Sequence, residues 1–166
     1  MPTIIHVSTP AELEQVDVLF REYADTPDHD ATFAESLAIQ DFARELAELP
    51  GAYAPPAGRL LLALVEGEPA GCVALKALDS ADVCEMKRLY VRPAFRALGL
   101  GRALVDALLA EARAAGYRAV RLDTPPSMRA AQRLYRSLGF YENPPYSENS
   151  VAGALFFERR LDAPRG

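Results

Sequence analysis

The sequence predicts an α+β domain built on one mixed, mostly antiparallel twisted sheet of about six or seven strands, flanked by about four helices. Three observations carry that expectation. Strand-like and helix-like stretches follow in the order strand, two helices, three strands, helix, strand, helix, two strands, an order that layers helices on a common sheet. The middle strands are joined by short turns, so they pair antiparallel. A strand–helix–strand unit in the second half must pair in parallel, because a helical crossover returns the chain in the same direction.

Each element has a local cause. Thr3 to Val7 is a β-branched run that reads as an edge strand. Thr9-Pro10-Ala11-Glu12 supplies a capping box with proline at the first helical position, and Leu13, Val16, Phe20 and Tyr23 then recur at helical spacing to Ala24. The polar stretch DTPDHDAT is a loop. Phe33 to Leu49 is again helical in period (Phe42, Leu46, Leu49), and Pro50-Gly51 stops it. Arg59 to Val65 is a buried strand, and the Gly67-Glu68-Pro69 turn leads into Ala70 to Leu78 as a hairpin. Val83 to Val91 is a third long strand, ended by Pro93. Gly101 to Ala115 carries Leu104, Leu108 and Ala112 on one helix face and ends at Gly116. Ala119 to Asp123 is a strand, Ser127 a candidate cap for a helix through Leu138, and Phe140 to Glu142 with Ala154 to Leu161 a final strand pair around NPPYSENSVAG.

Composition narrows the function. At 166 residues the chain predicts one domain spanning residues 1–166 with a real core. Its net charge of −5 leaves no basic stripe to neutralise phosphates, which argues against a nucleic-acid partner and is compatible with an amine. No window approaches the roughly 20 apolar residues of a membrane span, and the N-terminus lacks a cationic leader before an apolar run. The expectation is a soluble cytoplasmic protein. Cys72 and Cys84 lie in apolar strand-like runs without metal spacing, so reduced buried thiols are expected, and no metal.

The chemistry concentrates in LYVRPAFRALGLGRAL, from Leu89 to Leu104, where a strand passes through a glycine-rich turn into a helix. A helix N-terminus offers unpaired N–H groups and partial positive charge, glycines let an anion approach without meeting a Cβ, and Arg96 adds a full charge. The segment Arg96 to Ala103 therefore reads as a phosphate or pyrophosphate cradle. Its blander reading is a turn at Gly99. The dinucleotide fingerprint is excluded because Leu104 stands where a third Gly or Ala is needed, and no Gly-Lys-Ser/Thr is present.

This loop, with the C-terminal half from about Leu61 to Leu161, resembles the GNAT superfamily of acetyl-CoA-dependent N-acetyltransferases. CEMKRLYVRPAFRALGLGRALV matches its Gln/Arg-x-x-Gly-x-Gly/Ala loop at Arg96, Gly99 and Gly101. AAQRLYRSLGF resembles its Leu-Tyr-x-x-x-Gly-Phe helix at Leu134, Tyr135, Gly139 and Phe140. The resemblance implies an acyltransferase that moves the acetyl group of acetyl-CoA to an amine of a small molecule or a protein, as a monomer or homodimer. Residues 1–58 would form the acceptor side and 59–161 the acetyl-CoA core. The other class left open is a non-catalytic CoA-binding sensor or interaction module.

The implied cofactor-binding set is the backbone of Leu89, Tyr90 and Val91, the loop Arg96, Ala97, Leu98, Gly99, Leu100, Gly101, Arg102 and Ala103, and Tyr135. Where many members carry an asparagine near the start of the last helix, this chain has Met128, so contact with the pantetheine arm falls to Ser127 or Thr124. Tyr135 is the candidate acid for the departing thiolate, with packing as its other reading. Glu85, in an otherwise apolar strand and on the alternation face of Lys87, Leu89 and Val91, is the candidate base. Its alternatives are an ion pair with Lys87 or Arg88, with water serving as base. His6 reads as a satisfied strand residue. Arg21, Tyr23, Asp41 and Glu45 on the N-terminal helices and Tyr146 in the late loop are candidate acceptor contacts.

Overall fold

The computed structural model describes residues 2–25, 37–38, 41–79, 82–146 and 153–161. Seven strands make one sheet: β1 (Pro2–His6), β2 (Arg59–Val65), β3 (Glu68–Ala77), β4 (Val83–Val91), β5 (Ala119–Thr124), β6 (Tyr141–Glu142) and β7 (Leu155–Arg160). Their order is β1-β2-β3-β4-β5-β7-β6, and every pairing is antiparallel except β4 with β5. Among the described residues, the helices that flank it are α1 (Pro10–Ala24), α2 (Phe42–Ala47), α3 (Leu100–Ala114) and α4 (Arg129–Ser137). Among the described residues no helix is long and apolar enough to cross a membrane.

Both faces of the sheet are covered, which is why β2 reads as an unbroken apolar run. Leu61 and Ala63 face a core built with Leu104, Val105, Leu108 and Ala112 of α3 and Tyr135 of α4. Leu60 and Leu62 face a second core built with Val16, Leu19 and Phe20 of α1 and with Tyr53. The capping box forms at the head of α1: the Glu12 N–H donates to Thr9 Oγ1 at 3.1 Å and the Thr9 N–H to Glu12 Oε1 at 3.1 Å.

Three local readings are corrected. The helix expected over Phe33–Leu49 is not continuous, because Asp41 sits at φ 56° before α2, a left-handed conformation that Asp tolerates and a helix interior excludes. Residues 33–36 and 39–40 of that helix lie outside the described residues, as do 147–152 of the late loop. Ser127 does not cap α4. The Met128 N–H closes a turn on the Pro125 carbonyl at 3.1 Å, which leaves Met128 at the cap position with no side-chain cap.

The third correction concerns β4. Cys72 pairs with Tyr90 but Ala74 pairs with Lys87, so Arg88 and Leu89 oppose one β3 residue in a bulge, with Arg88 at φ 62°. The extra residue reverses the alternation. Leu89 and Val91 pack with Cys84 and Met86 against the α3–α4 core, not on the face of Glu85 and Lys87. Glu85 and Lys87 oppose Lys76 and Ala74, and Ala74 belongs with Tyr90 to the α1 core.

Candidate active site

The parallel pairing of β4 and β5 covers only Val83–Ala119, Cys84–Val120 and Glu85–Arg121. Beyond that point the strands part, with β4 still held by β3 and β5 by β7. The gap is a narrow cleft of about 60 Å³, open to solvent. Met86, Lys87, Arg88 and Leu89 line it from β4, and Leu122, Asp123 and Thr124 from β5. Met128, Ala131 and Tyr135 line it from the α4 side, and Tyr23 and Leu37 from the α1 side. Because the strands separate there, the cleft is lined by residues from both faces of the sheet.

Tyr135 is buried, with its ring 5.8 Å from that of Phe140 and 6.1 Å from that of Phe157. Burial pushes its phenol above the ordinary range, so it keeps its proton at any working pH. Gln132 Nε2 donates to the carbonyls of Pro125 at 3.1 Å and Pro126 at 3.3 Å, which fixes the turn between β5 and α4.

After β4 the chain turns through Pro93–Phe95 to Gly99, which stands at φ 73° as the N-cap of α3. No side chain caps this N-terminus. A Cβ on Gly99 would meet nothing within 4 Å, so glycine is needed there for its backbone angle. At Gly101 the reason differs. A Cβ there would meet Leu134 Cδ2 at 3.4 Å, ordinary contact, so the protein's own packing does not require glycine. The bare backbone at the mouth of α3 fits an anion that must approach closely. Arg96 Nε donates to the Val91 carbonyl at 3.0 Å, and Arg102 Nη2 to Ser137 Oγ at 2.9 Å. Leu98 is exposed on the same loop.

Glu85 is buried beside the cleft but does not line it. Tyr146 Oη donates to Glu85 Oε2 at 2.7 Å, and Glu85 Oε1 lies 3.7 Å from Lys87 Nζ and 3.8 Å from Lys76 Nζ. Arg121 lies over the Tyr146 ring at 5.6 Å. Burial lowers the Lys87 ammonium below its ordinary value, and Glu85 opposes that shift.

The acceptor-side candidates separate. Tyr23 lines the cleft, its ring 6.3 Å from that of Tyr90. Arg21 pairs with Asp17 on the exposed face of α1 at 3.1 Å, away from it. Both oxygens of Glu45 are taken by Arg88, at 2.8 and 3.0 Å, with Phe42 stacked on the guanidinium at 5.0 Å. Asp41 and Glu45 line a second cavity with Tyr53 and Lys76. His6 pairs with Glu111 at the far edge of the sheet. Cys72 and Cys84 are free and buried, and burial pushes the Cys84 thiol up to about 12.

Sequence reasoning passed over Lys87, Arg88 and Asp123, which line the cleft. Arg88 is there because of a bulge that no residue pattern marks. Lys87 and Asp123 look in sequence like ordinary alternating strand charges.

Comparison with known proteins shows the family and the fold. The family described as Acetyltransferase (GNAT) family matches residues 14–140. An uncharacterised N-acetyltransferase of Schizosaccharomyces pombe is 37% identical over 160 residues, 96% of this chain and 94% of that protein. An acetyltransferase of Staphylococcus aureus Mu50 shares the fold with TM-score 0.76 at 19% identity, over 98% of this chain and 100% of that one. PaiA N-acetyltransferase of Thermoplasma acidophilum, in complex with coenzyme A, does so with TM-score 0.75 at 18% identity, over 97% and 99%.

Proposed function

The chain belongs to the acetyltransferase (GNAT) family, and from that premise we propose that it transfers the acetyl group of acetyl-CoA directly to a primary amine of a small-molecule or protein acceptor. The observation that carries this reading is the cleft where β4 and β5 part. It lets a thioester arrive from the α3–α4 side and an amine from the α1 side, so that they meet without an intervening acyl-enzyme. The whole chain serves as one domain, with residues 1–58 on the acceptor side and 59–161 forming the acetyl-CoA core.

The N–H groups at Gly99 to Arg102, with Arg96, hold the pyrophosphate, and the Ala103 N–H closes the first turn of the cradle on the Gly99 carbonyl at 3.1 Å. The β4 edge from Leu89 to Val91, freed where β5 turns away, holds the pantetheine arm by backbone hydrogen bonds, as an added strand would be held. Thr124, buried in the cleft wall, takes the polar contact that Met128 lacks. The acceptor nitrogen attacks the carbonyl carbon, the carbon–sulfur bond breaks, the sulfur takes the Tyr135 proton, and the second proton that the nitrogen loses on becoming an amide restores the Tyr135 phenol. The same burial that raises the phenol also raises the thiolate's affinity for that proton. The proton lost by the acceptor ammonium ends on Glu85.

A thiol-release assay with acetyl-CoA and a panel of primary amines tests the proposal. Amine-dependent release is expected. Tight coenzyme A binding with no release on any amine would make the chain a binding module.

A further inference from the structure

Glu85 raises a difficulty for the reading above: its carboxylate does not line the cleft, so an acceptor there cannot reach it directly. The groups on either side of it supply the connection. Of eighteen lysines and arginines in the chain only Lys76 and Lys87 are lysines, and both place Nζ within 4 Å of Glu85 Oε1. Elsewhere the chain uses arginine for positive charge, in pairs such as Arg88–Glu45, Arg92–Glu22 and Arg121–Glu158. Arginine holds charge and does not release a proton, whereas a buried lysine can. The two side chains that can carry a proton stand where a proton would have to pass.

We propose that Lys87, Glu85 and Lys76 form a proton-exit relay that takes the acceptor's proton out of the cleft, Lys87 being the group that touches the acceptor. This rests on the acetyl-transfer reading. Lys87 lines the cleft and is 10% exposed, Glu85 is 7% exposed, and Lys76, 35% exposed, lines the second cavity beside α2. The two groups nearest the reacting centre are thus both nearly buried, and the path opens to solvent at Lys76. The Tyr146 hydroxyl holds the other carboxylate oxygen, which leaves Oε1 for both lysines.

Proton bookkeeping closes. The Lys87 ammonium gives a proton to Glu85, making a neutral amine beside a neutral acid, a pairing that a buried site favours over two charges. The amine then takes a proton from the acceptor ammonium. The acceptor becomes the neutral nucleophile, Lys87 regains its charge, and Glu85 holds the proton until it leaves past Lys76. The charged groups acting on Lys87 are Glu85 and Arg88 of β4, Lys76 of β3 and Asp123 of β5, and burial outweighs the two carboxylates in lowering its pKa.

Lys87→Arg and Lys87→Met test this, with acetyl-CoA and three probe amines: benzylamine, spermidine and L-aspartate. Arginine keeps the charge beside Glu85 but cannot pass the proton. Both variants should lose about 10²-fold in kcat below the pKa of the acceptor amine, with acetyl-CoA affinity unchanged, and recover as pH rises through it. Lys76→Arg, at the end where water can substitute, should slow turnover only a few-fold. A Lys87→Arg enzyme with wild-type kcat at neutral pH, or a deficit equal at every pH, would overturn the relay. A second readout needs no acceptor. With 13C-labelled lysine, Lys87 should titrate below the ordinary range of a lysine, and lower still in Glu85→Gln. Lys87 titrating at or above the ordinary lysine value would sink the relay. Absence of wild-type transfer to all three amines would count against the acetyl-transfer reading, while the titration still decides the relay.

Discussion

Replacing Gly101 separates what the fold needs from what the ligand needs. Gly101 is the second residue of α3, and a Cβ there meets only Leu134 Cδ2, at 3.4 Å. Alanine therefore fits, and it favours a helix over glycine by up to about 1 kcal/mol, or up to about 4 °C in Tm for a chain of this size. If the pyrophosphate rests on the N–H groups beside it, the same methyl crowds the ligand. Losing one charge-assisted hydrogen bond there costs about 1.5–3 kcal/mol, or about 10- to 150-fold in Kd for coenzyme A. Valine should cost more. Calorimetric titration with coenzyme A beside a thermal melt reads both quantities, and the account expects them to move oppositely for Gly101→Ala. A folded Gly101→Val protein that binds coenzyme A like the wild type would refute the cradle.

Tyr135→Phe keeps the ring against Phe140 and Phe157 and removes the proton, so kcat should fall about 10²–10⁴-fold with coenzyme A affinity nearly intact; near-normal kcat would leave the tyrosine a packing role. Glu85→Gln should lower kcat at neutral pH with coenzyme A affinity unchanged; wild-type kcat would take Glu85 out of the proton's path. Glu45→Gln leaves Arg88 buried without its carboxylate and should destabilise by about 3–5 kcal/mol in chemical denaturation; a loss below about 1 kcal/mol would mean that the guanidinium finds another partner. Glu22 is held below the ordinary carboxylate range by its hydrogen bonds from Arg92, against the opposing effect of partial burial. A lowered folded pKa means stability present above the unfolded value and lost as pH falls through the folded one. The Tm difference between wild type and Glu22→Gln should therefore be full at pH 7 and vanish in acid; a gap that persists there would contradict the pairing.

How far the sequence could be read depends on where each feature is encoded. The capping box at Thr9–Glu12, the apolar run of β2 and the glycine of α3's cap are local, and neighbouring residues suffice to read them. The β4 bulge is not local. It arises because Arg88 and Leu89 share one opposing residue of β3, and strict alternation then puts Leu89 and Val91 on the wrong face. The break at Asp41 depends on one residue taking a left-handed angle where helical periodicity continues on both sides. Glu85 could be singled out as an acid in an apolar strand, but its flanking lysines come from β3 and β4, and Tyr146 from the far end of the chain. Arg21 and Glu45 had charge and helix position in their favour; the pairs with Asp17 and Arg88 show only in three dimensions.

The most direct test of the account is a crystal structure of the protein with coenzyme A. The account predicts the pyrophosphate on the N–H groups of Gly99 to Arg102, the pantetheine arm along Leu89 to Val91, and the sulfur between β4 and β5 within hydrogen-bond reach of Tyr135 Oη. Coenzyme A bound elsewhere, or lying over the loop with its sulfur outside the parted strands, would contradict it.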